Sequence, residues 1–198
     1  MKKLLLIIAV GTIIASSCKS KEQKAQEQAV SNLAEGIKEI AKNSEKIGDE
    51  VESLKKLAPL NTDALKTLLP ETLAGMPRKD FSVTNNMGFA VAEARYEKDD
   101  STNLKLTVFD CAGEAGAGFY SMNFFMRMNM QQETDRGYTK TVDFMDTKAV
   151  ETFEKDNNKY GLSFLAAKRL LVTLEGRNVE LDGVKGAAKS LDFSKVQQ

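Results

Sequence analysis

Hydrophobic and polar positions divide the chain into three regimes. In the first, Leu4 to Ile14 is apolar apart from Gly11 and Thr12, with Lys2 and Lys3 before it and Ala15, Ser16 and Ser17 after it. Basic, apolar, then small is the order of a secretory signal, here residues 1–17. The run is also shorter than the roughly 20 residues that cross a bilayer as a helix. In the second regime, residues 18–29 are rich in Lys, Glu, Gln and Ala with no apolar side, and read as a solvated spacer. From residue 30 to 58 the spacing becomes helical. Val30, Leu33, Ile37, Ile40, Ser44, Ile47, Val51, Leu54 and Ala58 follow one another in steps of three and four. Such a row lays a narrow apolar seam along a helix. The seam fits two arrangements, an amphipathic helix laid on its own domain or a coiled coil with another copy or a partner helix. Gly36 and Gly48, each costing about 1 kcal/mol relative to Ala, favour the first.

In the third regime, 61–198, the period switches between helix and strand. Pro59 closes the seam helix, and Asn61 or Thr62 can cap a short helix through Leu65, Leu68 and Leu69 that Pro70 stops. Leu73, Gly75 and Pro77 read as an irregular crossing. Residues Phe81 to Phe109 read as strands, with Phe89 to Tyr96 and Leu104 to Phe109 alternating with period two around the polar stretch 98–103, which predicts a hairpin. A glycine-rich loop, Cys111–Gly118, then leads to a predicted helix over Phe119–Gln132. Four strand-like segments follow: Tyr138–Met145, Ala149–Lys155, Tyr160–Ala167 and Arg169–Glu175, the last two readable as one bent strand. A final helix spans about Leu181 to Ser190, with Leu181, Val184, Ala188 and Leu191 on one side. The pattern predicts an α+β domain, an antiparallel sheet of about six strands packed against helices, preceded by a long N-terminal amphipathic helix.

Composition narrows the chemistry. Basic and acidic residues balance at 28 each, and loss of the leader with Lys2 and Lys3 leaves a charge of −2. No basic excess is available to hold phosphates, so nucleic acid is not an expected partner. The chain has no histidine. Serine–histidine and cysteine–histidine catalysis and histidine-based zinc sites are therefore absent. Glu93, Asp110 and Glu151 are the candidates for an enzyme working with carboxylates alone. Nothing in the sequence places two of them together, so a catalytic role is not the expectation. The glycines of Cys111–Gly118 have neither the spacing nor the Gly-Lys-Ser/Thr ending of a phosphate loop, and read as close helix-to-sheet packing. Met122, Met126 and Met130 lie four apart, and thioethers are soft enough for Cu(I). Interleaved with Phe119 and Phe124, they read instead as flexible core residues filling gaps, and no cofactor is expected.

Ala15-Ser16-Ser17-Cys18 resembles the lipobox of bacterial lipoproteins, departing from it at Ala15, where the family usually carries Leu, Val or Ile. The resemblance implies that Cys18 is acylated on sulfur, becomes the new N-terminus, and holds a diacylglycerol plus a third acyl chain such as palmitate. Two or more chains make a stable anchor where one is marginal. Lys19 in place of Asp implies sorting to the outer membrane. With Cys18 acylated, Cys111 has no intrachain disulfide partner. A second resemblance is to an uncharacterised family of small bacterial envelope proteins. It is carried by residues 68–76, Met87-Gly88-Phe89, Ala92–Tyr96, Val108–Gly113, Gly137-Tyr138, Lys148–Phe153, Arg169–Gly176 with Asn178-Val179, and Leu191-Asp192. It implies no activity. The element order is also similar to Mog1/PsbP-like folds. Together these imply a lipid-anchored envelope protein with a non-catalytic binding or structural domain, an oligomeric coiled-coil scaffold being the alternative.

Overall fold

The computed structural model describes residues 46–122 and 129–196. The described residues open with helix α1, residues 46–55. Helix α2, Thr62–Thr67, starts where the Asn61 side chain accepts the Ala64 N–H at 2.8 Å, a cap that satisfies one of the first unpaired amides of the helix. Pro70 follows its end. Strands β1 (Thr72–Leu73) and β2 (Met76–Asn86) form a hairpin around Ala74 and Gly75, both at positive φ. Strands β3 (Phe89–Glu97) and β4 (Asn103–Asp110) lead into helix α3, Gly113–Met122. Five strands follow: β5 (Gln131–Thr134), β6 (Gly137–Phe144), β7 (Thr147–Glu154), β8 (Lys159–Ala166) and β9 (Leu170–Arg177). Helix α4, Leu181–Lys189, comes last.

All strands lie in one antiparallel sheet of order β1-β2-β3-β4-β9-β8-β7-β6-β5. Two meanders meet where β4 pairs with β9. From β4 the chain goes through α3 to the far edge and works back inward strand by strand. The α+β architecture agrees with the hydrophobic pattern, but the sheet has nine strands rather than about six. Beyond the six alternating segments come β1, β5 and β2, the last read as strand only from Phe81; all lie at or next to an edge, where alternation has no buried face to report on. Nearly all of β2 and all of β5 is exposed or half-exposed. The tight turn at Ala167 and Lys168, both at positive φ, separates β8 from β9, so they are not one bent strand.

Two further expectations are corrected. Helix α3 begins at Gly113, so the glycine-rich stretch is largely helix rather than loop. Gln131 and Gln132 belong to β5, not to the end of that helix. The amphipathic helix is described from residue 46 onward; its positions from Val30 to Ser44 lie outside the described residues.

The sheet buries both faces unequally. On the first face, Ala92 and Ala94 of β3, Leu106 of β4 and Leu174 of β9 are closed over by Leu65 of α2 and Val184 of α4. On the second face, a smaller cluster forms at one end. There Leu54 of α1 and Ala117 and Tyr120 of α3 meet Phe109, Cys111 and the flanking Leu171. Phe109 stacks against Phe119 with ring centroids 4.2 Å apart, and Tyr120 donates its hydroxyl to Glu50 at 2.7 Å. Thus Val51 and Leu54, the last seam positions before Ala58, are packed on this chain's own domain.

Candidate functional site

Two buried carboxylates carry the concentrated polar chemistry of the domain, and their strands place them apart. Asp110 ends β4 on the first face, continuing the parity of Leu106 and Val108. It is fully buried, and Arg169 beside it is 4 % exposed. Arg169 Nε donates to Asp110 Oδ1 at 2.9 Å and Nη2 to Oδ2 at 2.7 Å, a two-pronged ion pair. The N–H groups of Leu60 and Ala112 complete the carboxylate at 2.8 and 3.2 Å. Arg169 Nη2 also reaches the Ala58 carbonyl at 2.9 Å. The pair therefore fastens the α1–α2 connection to the start of β9 and the end of β4. Both carboxylate oxygens accept from fixed donors, so the pair acts as a clasp.

Glu151 of β7 lies 1 % exposed opposite Leu162, on the same face. Three donors converge on it: Tyr138 Oη at 2.8 Å and Lys140 Nζ at 3.0 Å to Oε1, and Lys185 Nζ of α4 at 2.7 Å to Oε2. Burial pushes this carboxyl up, but the Lys185, Lys140 and Tyr138 donors outweigh burial and hold it below the ordinary carboxylate value. Burial, reinforced by the hydrogen bond to charged Glu151, pushes the Tyr138 phenol up. Two ammonium groups on one carboxylate leave a surplus positive charge. The lysines are partly open to solvent, at 41 % and 29 % exposure. Beside them Phe153 bridges Tyr138 and Tyr160, with centroids 5.9 and 4.5 Å away. The arrangement can fix α4 to β6 and β7 and present an aromatic, weakly cationic strip.

Glu93 stands apart from both. Its neighbours Ala92 and Ala94 are buried on the first face, so Glu93 projects from the second. There Lys105 pairs with it at 2.8 Å and Thr107 donates at 3.2 Å, and the Lys105 contact lowers its pKa. Strands β9 and β8 lie between Asp110 on β4 and Glu151 on β7. The structure thus brings no two of Glu93, Asp110 and Glu151 together.

Of the methionines spaced four apart, only Met122 and Met130 lie among the described residues. Met122 ends α3 at 74 % exposure. Met126 lies outside the described residues. Met130 is already paired with β6, its N–H donating to Thr141 Oγ1 at 3.1 Å and its carbonyl accepting the Thr141 N–H at 2.8 Å. Cys111 is buried, and burial pushes its thiol up to about 12, the state of an inert core residue. Cys18, the spacer and the seam positions Val30, Leu33, Ile37 and Ile40 lie outside the described residues.

Sequence reasoning singled out the carboxylates but not their partners Arg169, Tyr138, Lys140 and Lys185. The available signal was local. Asp110 interrupts an apolar run between Phe109 and Cys111, and Glu151 sits between Val150 and Thr152 in a strand. A charged residue inside a buried pattern needs a partner. No family model, no curated protein and no solved structure matches this chain.

Proposed function

We propose that this chain is a lipid-anchored protein of the bacterial cell envelope, held at the outer membrane through acylated Cys18, whose α+β domain is a non-catalytic binding or structural module. The observation that carries this reading is the order Lys2-Lys3, apolar run, Ala15-Ser16-Ser17-Cys18 at the front of the sequence. The domain's chemistry supports the second half of it. Asp110 is fully engaged as a clasp, and Glu151 is tied to three donors. With Glu93 on the other face, the three carboxylates singled out do not form a pair. The packing of Val51 and Leu54 onto this domain favours a helix serving its own chain over a coiled-coil scaffold.

Cell fractionation tests the anchor. The full-length protein should stay with membranes through high-salt and alkaline washes and band with outer-membrane markers on a density gradient. Cys18→Ala should move it to the soluble fraction or leave it with an uncut leader. A wild-type protein that is soluble throughout would refute the reading.

A further inference from the structure

Strand β2 is 11 residues long, yet β1 pairs only with Met76 and Pro77 at its start. The Glu71 carbonyl takes the Arg78 N–H at 2.8 Å. From Lys79 to Asn86 no described strand lies along the outer edge. Six of these residues in sequence, Phe81–Asn86, carry no charge. An open, uncharged edge presents unpaired N–H and C=O groups and is a template for another strand. Natural edges are blunted by charge and bulges, and β2 has both at one end only, at Lys79, Asp80 and the register shift between Arg78 and Asp80. The opposite edge of the sheet differs, since β5 is four residues long, with Glu133 in it and Asp135 and Arg136 just beyond.

We propose that the free edge of β2 is the interface of a two-fold homodimer in which Ser82 of each copy lies on the axis and the two sheets run on as one. The second copy is favoured by self-complementarity. An axis through Ser82 sets Phe81 opposite Val83 of the partner subunit, Asp80 opposite Thr84 of the partner subunit, and Lys79 opposite Asn85 of the partner subunit. No like charges face each other. Phe81 and Val83 pair with Ala94 and Ala92 on the neighbouring strand, so both project from the first face. Residues opposed in an antiparallel pair share a face, so the aromatic–β-branched contact forms twice. Phe81 is 44 % exposed in the single chain, with Lys66 and Arg78 cations 5.3 and 4.9 Å from its ring, and it gains cover this way. Moving the axis to Phe81 sets the bulge at Lys79 opposite Val83 of the partner subunit, nearer the centre of the ladder. Moving it to Val83 sets Phe81 against Asn85 of the partner subunit, and a slip by one residue reverses the faces. Pairing β2 with itself closes the assembly, whereas pairing β2 with β5 would propagate it.

This inference does not depend on how the chain is anchored. The test uses detergent-purified full-length protein. Sedimentation should show a monomer–dimer equilibrium. Ser82→Lys, which sets two like charges face to face on the axis, should weaken the dimer by about tenfold or more without lowering the melting temperature at concentrations where both proteins are monomeric. Ser82→Cys should give a covalent dimer under mild oxidation that the unsubstituted chain does not give. On the axis the two Cα atoms stand roughly 4.5–5.5 Å apart, within disulfide reach. A protein that stays monomeric at all concentrations overturns the proposal. So does a dimer that Ser82→Lys leaves intact and Ser82→Cys fails to cross-link, which would locate self-association elsewhere, as in the seam.

Discussion

Arg169 and Asp110 are 59 residues apart in sequence and form a buried pair that also holds the Ala58 carbonyl and the Leu60 amide. Removing one partner leaves the other charge buried without compensation, which typically costs 3–5 kcal/mol, about the scale expected for Asp110→Asn or Arg169→Leu in urea unfolding. A cost below about 1 kcal/mol would show that the clasp is not structural. Glu151 behaves differently because its partners are half in solvent. Its carboxyl is held below its ordinary 4.5, so it contributes stability that is present above that pH and is lost as pH falls through the lower folded-state value. Glu151→Gln should therefore lose about 2 kcal/mol near neutrality and show a shallower decline in acid than the wild type. Parallel acid limbs for the two proteins would contradict this. The sequence identified both carboxylates as unusual but not their roles. Each role is set by a donor brought in from another strand or helix, and no local spacing encodes that meeting.

The glycines of α3 separate two physical roles that look identical in the sequence. A Cβ on Gly116 would stand 2.6 Å from the Cys111 carbonyl carbon and 2.8 Å from the Asp110 carbonyl oxygen, backbone that cannot yield. A Cβ on Gly118 would meet nothing within 4 Å. Gly116→Ala should destabilise by about 1–3 kcal/mol, while Gly118→Ala should stabilise by up to about 1 kcal/mol, both read from chemical denaturation. Equal effects would mean that α3 does not seat where it is described. Leu54, 3 % exposed between α1 and Phe109, should lose about 2–4 kcal/mol on truncation to Ala. These elements also show which parts of the fold the residues reveal. The β3–β4 hairpin was legible because each strand alternates cleanly between a buried and an open face. Of the two caps the sequence offered, Asn61 starts α2, but the helix ends at Thr67, short of Leu69 and Pro70. The start of β2 at Met76 and the whole of β5 were not legible, because an exposed edge imposes no alternation; only Phe81–Asn86 of β2 fell within the stretch read as strand. The start of α3 was missed because glycine is disfavoured in helices by propensity, and here close approach to β4 overrides that preference.

The whole chain joins a domain that needs no disulfide to a front end whose residues read as an address. Within the described residues the core is closed by α2 and α4 on one face and by α1 and α3 on part of the other. Such a domain is large enough to fold on its own packing, so the lipid proposed at Cys18 would position it rather than stabilise it. The melting temperature of Cys18→Ala, produced without acylation, should match that of the native protein in detergent. A large drop would tie folding to the membrane. Position is the more direct question, and one measurement addresses it. Intact-mass spectrometry of protein purified from native membranes should give a chain beginning at residue 18 with the added mass of a diacylglycerol and one further acyl chain. A species still beginning at Met1, or one carrying an unmodified thiol at Cys18, would contradict the anchored reading.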